Sequence, residues 1–207
     1  MNIIDILPTK IYAEILDQEL TKKNIRSCMS YISKKGNLVK NVNNFHSKDR
    51  NIIEHLNLSY FQDTFISKSN EYMRNTLGYE YDHSFITQSW LNVSNHKQTH
   101  HSHYHPNSIV SGVFYIEQPN TDDDFYFTKF ESSRLLPHIP YNPEIENTWQ
   151  ELHMSIEKNS LILFPSHVPH GVKQNNQNTS RITLSFNVMI NRLGIPGTLN
   201  ELRFDDV

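Results

Sequence analysis

Apolar residues recur three or four apart through the first third of the chain, then at every second position from Tyr79 onward. The first spacing builds one face of a helix, the second one face of a strand. "TKIYAEIL" (9–16), set off by Pro8, predicts an edge strand. A helix follows over 17–35: Asp17 can cap it, and Leu20, Ile25, Met29 and Ile32 mark its apolar side. Residues 34–48 are polar, with Gly36 and several Asn, and predict a loop. A second helical region over about 49–77 carries Leu58, Phe61, Phe65, Tyr72, Met73 and Leu77 on one side, and Gly78 stops it.

In "HSFITQSWLNVS" (83–94), Phe85, Thr87, Ser89, Leu91 and Val93 fall on one face and Ile86, Gln88, Trp90 and Asn92 on the other. Further strands are expected at 99–105, 109–117, 124–130, 160–165 and 180–190, with Pro and Asn between them. The expected architecture is mainly β with N-terminal helices, one domain over 1–207. It comprises a mostly helical support region (1–78), an antiparallel sandwich or barrel (79–192) and a C-terminal tail (193–207).

A net charge of −3 with mixed signs offers neither a nucleic-acid stripe nor a polybasic membrane patch. No apolar run reaches 18 residues and no targeting pattern opens the chain, so a soluble, cytoplasmic protein is expected, with a homodimer left open. The single cysteine, Cys28, excludes an internal disulfide and any cysteine-rich metal site. None of the six glycines forms GxGxxG or a P-loop. Histidine is the outlier: 12 residues, most of them at or after position 96.

His100, His101, His103 and His105 crowd the start of "HHSHYHPNSIVSGVFYI". On a strand, His101, His103 and His105 would share a face and His100 would take the other. Two such imidazoles can bind one metal as neutral ligands, and a third ligand must come from elsewhere. "SLILFPSHVPHGVKQN" (160–175) supplies His167 and His170 on a turn after an apolar strand. Pro106 ends the first strand directly after His103 and His105, which favours that pair; His101 with His103 has the same geometry, and His105 with Asn107 is a weaker choice. The bland alternative is a solvated histidine-rich loop. In "SRITLSFNVMI" (180–190), Arg181, Thr183, Ser185 and Asn187 share one face and Ile182, Leu184, Phe186 and Val188 the other. An inward arginine needs an anion, and its planar fork suits a carboxylate.

In order, H-x-H-P-N-S…S-G-V-F-Y-I, L-I-L-F-P-S-x-x-x-H and R-I-T-L-S-F-N resemble the Fe(II)/2-oxoglutarate-dependent oxygenases, in particular a bacterial and phage branch distantly similar to prolyl hydroxylases. The resemblance covers about residues 86–190. It implies a double-stranded β-helix, a cupin-like jelly roll, with Fe(II) at its open end and 2-oxoglutarate and O₂ as cosubstrates. Carried across, His103 matches the first metal histidine, His170 the distal one, Arg181 the arginine that pairs with 2-oxoglutarate, and Thr183 its hydroxyl neighbour. The family's carboxylate ligand is missing: His105 stands two after His103, and Asp82 and Asp122 lie some twenty residues away.

Asn92, Tyr115 and Asn187 are further candidates for contact with the cosubstrate, and Trp90 and Tyr126 for the pocket wall; Phe114, Phe125 and Phe127 read as core. Residues 131–154, with Arg134, are long enough for a substrate lid. The expected activity is a hydroxylase acting on a peptidyl proline, another protein side chain or a small molecule. The alternatives are a cupin-type three-histidine enzyme without 2-oxoglutarate and a non-catalytic jelly-roll binding module.

Overall fold

The edge strand β1 (Tyr12–Ile15) leads into α1 (Gln18–Ser33), whose first free amides, Glu19 and Leu20, donate to the Asp17 carboxylate at 2.7 and 3.3 Å. In this computed structural model residues 9–119, 125–128 and 151–204 are described. α1 buries Thr21, Asn24, Cys28 and Tyr31, with Ile25 and Ile32 beside them, while Leu20 and Met29 face solvent. The buried stripe is thus shifted from the expected one, because Cys28 and Tyr31 seat the helix and Leu20 sits in its first turn.

The expected loop at 34–48 contains a small hairpin, β2 (Leu38–Lys40) with β3 (Phe45–Ser47). The second helical region is divided. α2 (Ile52–His55) ends at Asn57, which adopts a left-handed backbone that asparagine tolerates, and α3 (Ser59–Glu71) runs into a π-helical turn at Tyr72–Thr76. Gly78, at φ +73, then releases the chain.

The remaining strands are β4 (Ser84–Ser94), β5 (His100–His103), β6 (Val110–Glu117), β7 (Phe125–Thr128), β8 (Glu151–Met154), β9 (Ser160–Pro165), β10 (His170–Val172), β11 (Arg181–Ile190), β12 (Arg192–Leu193) and β13 (Leu202–Arg203). They form a seven-stranded sheet in the order β1-β9-β6-β11-β4-β3-β2, a four-stranded sheet β5-β10-β7-β8, and a small β12–β13 pair in the expected tail. Neighbouring strands within each sheet run antiparallel. Of the expected lid, residues 151–154 are strand β8 paired with β7; Arg134 and the rest of that stretch lie outside the described residues.

The large sheet has two unlike faces. Its outer face meets the helices through Leu91, Phe114, Leu184, Phe186 and Val188, packed on Phe61 and Phe65. The Phe65 and Phe186 rings stack at 4.4 Å and 6°. Gly112 makes room for that ring, since a Cβ there would lie 2.2 Å from it. On the inner face, Val113, Tyr115, Ile162 and Phe164 meet Phe125 and Phe127 of the small sheet. A bulge opposite Asn187 and Val188 leaves Thr87 extra in β4 and reverses its alternation. Ile86 therefore packs with Leu91 on the helical side, rather than with Trp90 and Asn92 as a strict period of two required.

Candidate metal and cosubstrate site

Three histidines converge where the small sheet meets the large one. His103 ends β5, His170 opens β10 directly opposite it, and His105 lies two residues beyond β5, tied by its backbone N–H to the Ser166 carbonyl at 2.9 Å. The ligand atoms of His103, His105 and His170 all lie within 4.8 Å of one another. His103 Nδ1 meets the His101 carbonyl at 2.9 Å and His170 Nδ1 the Val168 carbonyl at 3.0 Å. A carbonyl only accepts, so both rings carry their proton on Nδ1 and turn Nε2 free. Such outer contacts fix a metal-binding histidine's tautomer.

Burial keeps these rings neutral. It pushes His105 down to about 4, with a contribution from His103, and lowers His103 as well. His170, only 3% exposed and walled by Phe125, Phe127 and Phe164, is driven well below an ordinary histidine, first by burial and then by His103. Neutral imidazoles are the form that binds metal. Among the described residues the cluster contains no carboxylate. The donor set fits a divalent ion of the first transition row.

His101 and His167 are exposed and outside the cluster. His100 is also outside the cluster but, against expectation, lines the same cavity: it stacks on His103 at 4.4 Å, its pKa pressed to about 3 by burial and by the neighbouring histidines. The cause is a register irregularity, in which β5 uses His100 to His103 to span only Val172 to His170 on β10. The odd residue turns His100 to the same side as His103.

Behind the histidines a cavity opens between the sheets. Arg181 and Thr183, 3% and 7% exposed, line it from β11, Asn92 from β4 and Tyr115 from β6. Arg181 is braced from behind: its Nε donates to Gln118 Oε1 and its Nη1 to the Lys173 carbonyl, both at 3.2 Å. Asn92 donates from Nδ2 to Ser185 Oγ at 3.0 Å. Trp90 covers His105 at 5.6 Å.

Two expectations are corrected. Asn187 is on the right face but outside the cavity lining; its Oδ1 accepts the Ser111 hydroxyl at 2.9 Å, in a chain that continues through Ser166 to Ser108. Tyr126 points to the outside of the small sheet, beside His153, because Phe125 and Phe127 take the inner face. Phe125, read from sequence as core, also lines the cavity. Sequence reasoning passed over Asn44, which lines the cavity from the turn before β3 and stood in an unremarkable Asn-rich stretch.

Residues 88–187 match the family model described as "Putative 2OG-Fe(II) oxygenase", a span that includes the three histidines, Arg181 and Thr183. Over that stretch, just under half of its length, the chain is similar to the 2OG-Fe(II) oxygenases. An Fe(II)- and 2-oxoglutarate-dependent oxygenase is the enzyme class that this match and the three-histidine cluster support. Solved oxygenase structures share the fold. An oxidoreductase of the 2OG-Fe(II) oxygenase family from Burkholderia pseudomallei has a TM-score of 0.56 at 12% identity, over 83% of this chain and 78% of its own. HygX from Streptomyces hygroscopicus, with nickel and 2-oxoglutarate bound, has 0.58 at 9%, over 88% and 83%. A Pseudomonas putida prolyl-4-hydroxylase has 0.54 at 12%, over 88% and 93%. No curated protein matches the sequence. The two facing sheets are the double-stranded β-helix that the sequence resemblance implied. No described helix is long and apolar enough to cross a membrane.

Proposed function

We propose that His103, His105 and His170 hold Fe(II), that Arg181 and Thr183 anchor 2-oxoglutarate with help from Asn92 and Tyr115, and that the enzyme hydroxylates an organic substrate. The observation that supports this reading is the shared cavity: three neutral imidazoles at one place in it, a buried arginine at another. Bound there, iron and 2-oxoglutarate would supply the oxidising chemistry. The chain's own work is positional. Backbone carbonyls orient His103 and His170, Gln118 and Lys173 aim the guanidinium, and the phenylalanines around His170 exclude water.

Three histidines leave the site one unit more positive than two histidines and a carboxylate, which favours a dianionic cosubstrate. Arg181 weighs against a three-histidine enzyme that works without 2-oxoglutarate, for which a carboxylate anchor has no use. The same fold serves the Pseudomonas putida prolyl-4-hydroxylase and HygX, so substrate choice belongs to the cavity mouth rather than to the sheets.

Anaerobic addition of Fe(II) and then 2-oxoglutarate should produce the visible charge-transfer band of the chelate. His170→Ala and His105→Ala should lose iron while keeping the circular dichroism of the parent, and His101→Ala should retain both. Full iron in His170→Ala, or its loss in His101→Ala alone, would overturn the ligand assignment.

A further inference from the structure

One polar side chain in the cavity has no role in the proposed chemistry and no hydrogen-bond partner among the described residues. Asn44 is 2% exposed, yet neither Nδ2 nor Oδ1 of its amide meets a hydrogen-bonding group. A buried amide left in that state costs about 1–3 kcal/mol, so its presence points to a partner that arrives from outside. Its backbone carbonyl is satisfied: Asn44 O accepts from Asn41 N–H at 2.8 Å and closes the turn between β2 and β3. The side-chain amide is unsatisfied among the described residues, and Asn44 lines the cavity.

Sheet register tells which part of the cavity it faces. Phe45 pairs with Val93 and His46 with Asn92, so Asn44, one residue earlier, falls beside Ser94. Ser94 in turn pairs with Arg181. Asn44, Ser94 and Arg181 therefore form one row across β3, β4 and β11. All three line the cavity. Side chains on adjacent strands of a sheet are about 5 Å apart, so an amide and a guanidinium two strands apart can grip one small anion between them.

We propose that Asn44 is a positioning residue for the cosubstrate: its Nδ2 donates to the carboxylate of 2-oxoglutarate that Arg181 holds. The proposal rests on the oxygenase reading of this cavity. The hairpin that supplies Asn44 precedes the stretch shared with the family, so this contact would be a feature of this chain's helical half reaching into the site.

The test compares 2-oxoglutarate with 2-oxopentanoate, which has a methyl group in place of the distal carboxylate, by calorimetric titration of the anaerobic Fe(II)-loaded protein. Asn44→Ala should weaken 2-oxoglutarate about 10- to 100-fold, the worth of a hydrogen bond to a charged group, and 2-oxopentanoate less than about twofold. Asn44→Asp, the same size but anionic, should weaken 2-oxoglutarate further than alanine does. Because the amide has no partner among the described residues, metal-free Asn44→Ala should melt no lower than the parent. Equal weakening of both 2-oxoacids, or a markedly lower melting temperature, would overturn the proposal. So would unchanged 2-oxoglutarate affinity in Asn44→Ala alongside a large loss in Arg181→Ala, a result that leaves the oxygenase reading intact. If the parent binds no 2-oxoglutarate and Arg181→Ala changes nothing, that reading fails and the Asn44 contact fails with it.

Discussion

The two faces of β11 make opposite demands on one ten-residue strand. Ile182, Leu184, Phe186 and Val188 point to the helices and find apolar partners there. Arg181, Thr183 and Ser185 point to the cavity, are buried too, and are polar. One face is finished when the chain folds, whereas the other is built around something the chain lacks. The pleat keeps the two apart at a spacing of a single residue, so a side chain can be chosen for chemistry next to one chosen for packing.

The sharpest separation should come from Phe186→Ala. Removing a buried aromatic ring stacked on Phe65 should cost about 3–5 kcal/mol of folding stability, read as a lower denaturation midpoint. Iron stoichiometry and 2-oxoglutarate affinity of the folded fraction should stay as they were. A loss of cosubstrate binding of the same size would show that the two faces are not independent.

The converse change is Arg181→Ala. It should weaken 2-oxoglutarate binding by roughly 30-fold to several thousand-fold, equivalent to about 2–5 kcal/mol, with little change in iron content. Lysine should rescue only in part, since it restores charge without the fork. Binding within twofold of the parent in Arg181→Ala would remove the carboxylate anchor from the inner face.

The smallest effect is on pH dependence. The site histidines have pKa values below the 6.5 of an exposed imidazole, His105 down to about 4. Between those values the unfolded chain takes up protons that the folded one refuses, so stability falls as pH drops through that window and is unaffected by these groups above it. The melting temperature of the metal-free protein should therefore decline from pH 6.5 towards 4. His105→Gln should flatten part of that slope, while Phe186→Leu, on the opposite face, should shift the whole curve and keep its shape.

The alternation of β11 was legible because polar residues on one side of a strand buried on both sides are seldom there for packing alone. The His103, His105 and His170 set was legible for a similar reason: its two segments adjoin apolar strands, one on each side of the site. What sequence missed lies where alternation breaks. Thr87 is an unpaired residue in a run that otherwise has period two, and nothing in its type announces a bulge. The irregular pairing of β5 with β10 hid His100 in the same way. α1 was misjudged because Leu20 is apolar but sits at a helix end that nothing covers. Asn44 was missed because an asparagine among asparagines reads as a turn, which it also is.

The small sheet is built from short pieces, three or four residues in each of β5, β7, β8 and β10, with β10 paired on both sides. His103 and His170 face each other across one of those pairings, although much of the chain lies between them. An ion gripped by both would close that long stretch into a ring. The entropy of closing a ring grows only slowly with its size, about 0.6 kcal/mol for each doubling, but here it bears on a short ladder with two paired positions. In this position the catalytic metal would also serve as a rivet.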